Sequence, residues 1–579
     1  MKNSVISVTR KKGMNRTAAF VGVAGASAAL LARRLAASTT ASAAAATLTS
    51  SFDGGNGELI SCHTAADGVV VFHVAISKDP FTPGTDNKHH YQWFQFSLSG
   101  VAGKTCSIVI DNASEVSYPS AWGTHSDDGG TVAKFDAHFA FVESVEAVDV
   151  ADASSWQRAR GTVYDSVAGT LSWTIDACEK DTVVCSFFPH YSEARHLDLV
   201  ADCAARIDTL VAAGSLRSDS TVRTIATTVR GRAVECVVVA GRKERAHDGV
   251  LLDQVNVWII CRQHPGEPQA EWWADGFLRQ LLATTTAEEE TENVNAVAAR
   301  ELLQSGVRFF VVPNMNPDGS VMGHLRTNSV GANLNREWAP TVKAEYDAPT
   351  LARSPSVLAV LRECDDVAQT PSIFLDVHAD EELPFNFICG PEGCPCWNDP
   401  RAGPPLRALH EYFGAAYRVS SGGALRGWNG APYGYGLEAP NEGNMHVCSN
   451  QIAERYSAAT GCLGITLEQP FKDVLQEGTD AVGEATSATP TMCREFGRAA
   501  LPAIRDALQL KRQLAASTGA LASTSPAWSE IEGHLELIRA PRAFDTAEAV
   551  AASDEALAAL GDATREAFQI QSSDHPAAI

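Results

Sequence analysis

The sequence predicts an α/β protein: a mixed, mostly parallel sheet with helices on both faces, preceded by an antiparallel β-sandwich. Three observations lead there. Between residues 48 and 199, short β-runs are punctuated by Gly, Asp, Asn and Pro, with no long helical stretch before residue 192. From about residue 191, apolar strand runs alternate with helical periodicity. The runs at 255–261, 373–377 and 463–467 are apolar almost throughout, as strands covered on both faces must be.

Residues 1–50 stand apart as a basic leader. Residues 1–52 hold no Asp or Glu, and Lys2, Arg10, Lys11, Lys12, Arg16, Arg33 and Arg34 give them a charge of +7, against a net -23 for the whole chain. The apolar stretch at 18–32 is too short to cross a ~30 Å hydrocarbon core as a helix. Basic, acid-free and Ser-rich, the leader reads as an organelle transit peptide, with a disordered extension and a secretory signal as alternatives. The protein is accordingly expected in the cytoplasm or the mitochondrial matrix.

The sandwich is expected over 51–190, with strands at 68–76, 91–98, 106–110 and 162–175, the last folded over a turn at 167–169. Over 91–98 aromatic and polar residues alternate, the period of a half-buried strand. The main domain is expected over 191–512. It opens with a helix at 192–213, follows with strands at 234–240, 255–261, 307–312, 373–377 and 463–467, and closes with a helix from 492 to 516. Residues 513–579 read as a polar tail with a helical stretch at 546–568 and no chemical motif. His89-His90 and Asp380-Glu381-Glu382 read as solvated loops.

Composition narrows the function. With 45% hydrophobic and 20% charged residues the chain is globular, and its net charge of -23 argues against nucleic acid as a partner. Fourteen cysteines over 579 residues form no disulfide framework and are expected to be mostly reduced. Cys394-Pro395-Cys396 has no second pair at zinc-ribbon spacing and reads as a loop near the cleft mouth.

Four elements carry chemistry. His264-Pro265-Gly266-Glu267 follows the strand run at 255–261, so an imidazole and a carboxylate can converge on one cation. The run at 373–377 ends in His378, which completes a two-His, one-carboxylate set of the kind hydrolytic zinc sites use. Glu468 ends the run at 463–467, where a carboxylate could relay a proton to a leaving amine. Asn314-Met315-Asn316-Pro317-Asp318-Gly319 turns toward Arg326, Asn335 and Arg336, and a guanidinium beside an amide suits a terminal carboxylate.

Together the H-P-G-E, N-P-D-G, R-x(8)-N-R, strand-terminal D-x-H and strand-terminal T-x-E patterns resemble the zinc metallocarboxypeptidases. His264-Pro265-Gly266-Glu267 and Leu334-Asn335-Arg336-Glu337-Trp338 are similar to the cytosolic carboxypeptidase branch and its bacterial relatives. So are Tyr91-Gln92-Trp93-Phe94-Gln95-Phe96, Ser155-Trp156-Gln157-Arg158 and Phe188-Pro189-His190-Tyr191-Ser192 in the leading sandwich. The resemblance spans roughly residues 50–510. It implies one Zn2+ per chain held by His264, Glu267 and His378, with Glu468 as general base and acid. It implies that Arg326 polarises the scissile carbonyl, and that Asn335 and Arg336 bind the substrate's terminal carboxylate. Two positions depart from the family pattern. Asn333 stands where Asp is usual behind the first zinc His, and the substrate-binding Tyr has no clear counterpart, Tyr435 being the candidate.

The implied partners are peptide or protein C-terminal tails, polyglutamylated tubulin among them, with no nucleic acid and no membrane span. Two rival functions stand beside the peptidase: a catalytically silent binder of chain termini, and a zinc amidohydrolase acting on N-acyl amino acids.

Overall fold

The computed structural model describes residues 45–81, 89–123, 135–144, 155–242, 255–283, 293–339, 348–391, 394–423, 425–427, 447–475, 485–486 and 488–516. The leader up to residue 44, Tyr435 and the tail stretch at 546–568 lie outside them. The front of the chain holds β1 (Thr47–Thr49), β2 (Glu58–Thr64), β3 (Val70–Ala75), β4 (Gln95–Ser99), β5 (Cys106–Ile110), β6 (His138–Val142), β7 (Gln157–Arg158), β8 (Val163–Asp165), β9 (Thr170–Ile175) and β10 (Thr182–Ser186). They form two five-stranded sheets, ordered β1-β4-β10-β6-β7 and β2-β3-β5-β9-β8. The pattern of each strand decides which side faces in: Val70, Phe72 and Val74 are buried, and their neighbours in β3 are half-buried.

Five details differ from expectation. β1 lies inside the stretch assigned to the leader, where Thr-Leu-Thr pairs with β4 and Leu48 packs on the core. β3 and β5 run parallel, so the sandwich is not wholly antiparallel. Of the 91–98 run only residues 95–98 enter a ladder, as part of β4; Trp93 is tied instead by its Nε1–H to Gly54 O at 2.8 Å. His90 is buried, not solvated, and its carbonyl accepts the Asp79 N–H at 2.8 Å. Glu381 is buried as well, so the 380–382 stretch is no solvated loop.

The second part is built on β11 (Thr221–Thr227), β12 (Ala233–Ala240), β13 (Asn256–Cys261), β14 (Arg308–Val312), β15 (Ile373–Val377), β16 (Asn386–Cys389), β17 (Leu425–Gly427) and β18 (Leu463–Glu468). Their order is β11-β12-β14-β13-β15-β18-β16-β17. The central strands β14, β13, β15 and β18 are parallel to one another, and antiparallel pairings flank them. Strict period-2 alternation feeds two cores: Val257, Ile259 and Cys261 face one, Trp258 and Ile260 the other, where Trp258 stacks on Phe310 at 4.5 Å. The first core is continuous with the sandwich interior, joining Phe72, Trp93 and Phe187 to Trp273 and Phe496.

Helices Glu193–Ala212, Gln269–Leu281 and Pro490–Ala516 cover that face, the first capped by the Ser192 hydroxyl. Gly276 permits the last two to touch, because a Cβ there would meet Arg494 O at 2.0 Å. Among the described residues, no helix is long and apolar enough to cross a membrane. All fourteen cysteines are free, and every one but Cys62 is buried.

Candidate metal centre

Sheet register places the chemistry. Cys261, Val377 and Leu467 lie side by side across β13, β15 and β18, so Arg262, His378 and Glu468 emerge flush at one end of the sheet. The His378 N–H donates to Leu467 O at 2.7 Å, which locks the two strand ends together. After Cys261 the chain turns sharply, with Arg262 at φ +56°. That left-handed backbone is held by the buried guanidinium, which donates to Pro265 O, Tyr191 O and Glu271 Oε2 at 3.1, 2.7 and 2.7 Å. Gly266 then lies against the Leu325 backbone, accepted at 2.8 Å, where a Cβ would meet the same carbonyl oxygen at 2.8 Å. Asn316 fixes the turn from beneath, donating to Gln263 O at 3.0 Å, so the N-P-D-G turn supports the site without entering it.

His264, Glu267 and His378 are each at most 3% exposed. Glu267 Oε1 lies 2.7 Å from His264 Nδ1, and Oε2 lies 2.8 Å from His378 Nδ1. The two Nδ1 atoms are 3.2 Å apart. The far nitrogens are both engaged: His264 Nε2 lies 3.1 Å from Asn333 Oδ1, and His378 Nε2 lies 3.0 Å from Asp376 Oδ1. Nε2–H donation from His264 to Asn333 leaves its Nδ1 lone pair beside the His378 Nδ1 and the Glu267 carboxylate, all converging on one point. Without a metal a proton on His378 ties the set to Glu267, and two imidazoles with one carboxylate suit zinc in its place. The residues present therefore fit the ion.

Without it the imidazoles titrate apart. Burial, then the Arg326 charge, hold His264 down to about 3. Burial opposes a charge on His378, yet Asp376 and Glu267 push it well above the usual range. Glu267 is held below its ordinary value by both imidazoles against the pull of burial.

Glu468 is 3% exposed at the end of β18, beside His378. Asn335 faces His378 Nε2 with its Nδ2 at 3.4 Å while its Oδ1 accepts the Cys448 N–H at 2.7 Å. Arg336 is half-buried, with Nη1 donating to Asn335 O at 3.0 Å. Arg326 sits on a loop against the sandwich.

Sequence reasoning misses Tyr118, which the sandwich brings to the same place. Burial pushes its phenol up to about 12, and the charges it feels are those of Arg326, Glu381, Glu267 and Arg336. Its chain position, far from every motif, carries no signal. A second convergent group, Cys394, Cys396 and Glu454, is mostly buried rather than at a cleft mouth, and Glu454 Oε2 accepts the Cys396 N–H at 2.8 Å.

Asn333 offers a direct test of the imidazole's support. Asn333→Asp should tighten zinc binding about tenfold, because a carboxylate raises the basicity of the ring it accepts from. Competition with a chelator measures this.

Residues 48–188 match the cytosolic carboxypeptidase N-terminal domain, and residues 211–383 match the zinc carboxypeptidase family. An uncharacterized protein of Zymomonas mobilis is 30% identical over 427 residues, 74% of this chain and 88% of that one. Cytosolic carboxypeptidase 1 of Danio rerio is 31% identical over 134 residues, 23% of this chain and only 10% of its own length. The crystal structure of a metallo-carboxypeptidase from Burkholderia cenocepacia is 28% identical, with a TM-score of 0.60 over 80% of this chain and 99% of that one. With the sandwich in front and the donor set at the sheet's end, the chain belongs to the zinc carboxypeptidase family, in its cytosolic carboxypeptidase branch, and is a metallocarboxypeptidase.

Proposed function

We propose that the enzyme trims C-terminal residues from peptides or protein tails, with one zinc ion held by His264, Glu267 and His378. The observation that carries this is the convergence of those three donors within 4.8 Å of one another at the mouth of a parallel sheet. Bound there, zinc supplies Lewis acidity toward the scissile carbonyl and lowers the pKa of water to about 7. The chain supplies the rest. Glu468 takes the proton from the attacking water and passes it to the departing amine nitrogen. Arg326 donates to the carbonyl oxygen as negative charge develops there. Asn335 and Arg336 grip the terminal carboxylate, a pairing that selects chain ends over internal bonds. Tyr435 keeps its place as the candidate substrate-binding Tyr.

The substrate class to which this reading leads is the acidic tail, glutamates of polyglutamylated proteins such as tubulin included. The chain charge of -23 does not bar such a tail, since salt screens it beyond about 10 Å, and the resemblance to the cytosolic carboxypeptidase branch supports the reading. A panel of blocked peptides differing only in a final Glu, Lys or Leu tests it. Glutamate should be released fastest. Equal release of all three, or preference for Leu, removes the acidic-tail reading; hydrolysis only of N-acyl amino acids replaces the peptidase with an amidohydrolase.

A further inference from the structure

Asp79 belongs to the sandwich, four residues beyond β3, and is 3% exposed. Its carboxylate leaves its own domain. Oδ1 accepts the Leu325 N–H at 2.8 Å, and Oδ2 accepts the Arg326 N–H at 2.9 Å, the Thr327 N–H at 2.8 Å and the Thr327 hydroxyl at 3.0 Å. Consecutive amides aimed at one anion form a nest whose backbone is fixed once the anion is in place. The neighbouring links also come from the sandwich. Gly54 N–H donates to Val321 O at 3.0 Å, and Asn56 Nδ2 donates to Gly323 O at 3.0 Å and to Ser77 O at 3.1 Å. Gly323, at φ +67°, presses so close to Gly55 O that a Cβ would stand 2.4 Å from it. On its other side the same loop meets the metal turn, where Leu325 O accepts the Gly266 N–H. The loop bearing Arg326 is thus gripped between the sandwich and the His264–Glu267 turn.

We propose that Asp79 is a positioning residue for the reaction: its carboxylate fixes the Leu325-Arg326-Thr327 backbone and so aims the Arg326 guanidinium at the metal centre. The sandwich is then a working part of the active site and not an appended domain. This rests on the role given to Arg326 above. The same sheet pair reaches the other loops around the centre. Ser120 Oγ donates to Glu382, four residues past His378, and Arg158 Nη2 donates to Phe471 O at 2.9 Å, three residues past Glu468. Asp79 is singled out because it alone of these holds the backbone N–H of a residue assigned to the chemistry.

Asp79→Asn keeps the shape but sets an NH2 against N–H donors whichever way the amide turns. With the fastest-cleaved peptide of the panel, kcat should fall about 10- to 100-fold, since a misplaced group of about 1 Å costs that much. KM should change little and zinc content should stay near the parent's, while the melting temperature should fall, because at least one buried N–H loses its acceptor. In an Arg326→Ala background the same substitution should add nothing, because two changes that act through one group do not multiply. If Asp79→Asn fails to fold, Thr327→Val removes only the hydroxyl link and should show a smaller loss that likewise vanishes in Arg326→Ala. A slow Arg326→Ala enzyme combined with multiplicative losses, or with an Asp79 variant of parental kcat, overturns the positioning role alone. An Arg326→Ala enzyme of parental kcat overturns the role of Arg326 and this one with it.

Discussion

Glu468→Gln should hold zinc as the parent does and hydrolyse its best peptide about a thousandfold more slowly or worse. The amide has nearly the volume and shape of the carboxylate, so β18 and its pairing with His378 should survive. What disappears is a basic oxygen able to receive the proton of the attacking water and to return it to the leaving nitrogen. A thousandfold loss corresponds to about 4 kcal/mol of transition-state stabilisation, within reach of one positioned general base in a site only 3% exposed. KM should move far less than kcat, because a ground-state peptide gains little from the relay. The measurement is kcat and KM alongside metal content. A variant that keeps a tenth of the parental kcat, with zinc bound, removes Glu468 from the proton path.

The central sheet is legible in the sequence for a physical reason. β13, β15 and β18 are buried along their whole length, so their runs are mostly apolar, and the candidate site residues stand at or just past their C-terminal ends. His264, His378 and Glu468 stand out by that contrast. Strands at the margins lack it. β11 reads Thr-Val-Arg-Thr-Ile-Ala-Thr, half-buried and interrupted by a bulge, and β16 and β17 are four and three residues long.

The contribution of the sandwich to the site is illegible for another reason. Asp79 meets Arg326 across 247 residues of chain, and an Asp before a Pro looks locally like any turn. Tyr118 and Ser120 lie in an equally plain stretch. The F-P-H-Y-S signature is readable as a pattern but not as a function. Its His190 Nδ1 lies 3.2 Å from Arg262 Nη2, and its Tyr191 carbonyl accepts from the same guanidinium, so it props the strained turn beneath the metal donors. The reading of 380–382 as solvated fails on the same ground, since only the packed loops around it exclude water.

Glu267→Gln should fold, lose zinc and lose activity together, which separates the metal site from the proton relay. The substitution keeps an oxygen for the Ala379 N–H, which Glu267 Oε2 now accepts at 3.1 Å. It also turns one acceptor into an NH2 that can donate to His264 Nδ1, the atom 2.7 Å from Oε1. The metal-free cluster is thereby satisfied by hydrogen bonds, whereas a cation would meet a neutral oxygen or an N–H in place of a charge. After dialysis the parent should retain near-stoichiometric zinc and the variant only background. Added zinc should raise the parent's melting temperature, since an ion that binds only the folded chain stabilises it by RT ln(1 + [L]/Kd), and leave the variant's unchanged. The pairing with Glu468→Gln is the informative part: one variant loses turnover with the ion in place, the other loses the ion. If Glu267→Gln keeps near-stoichiometric zinc, the Glu267 charge is not needed to hold the ion.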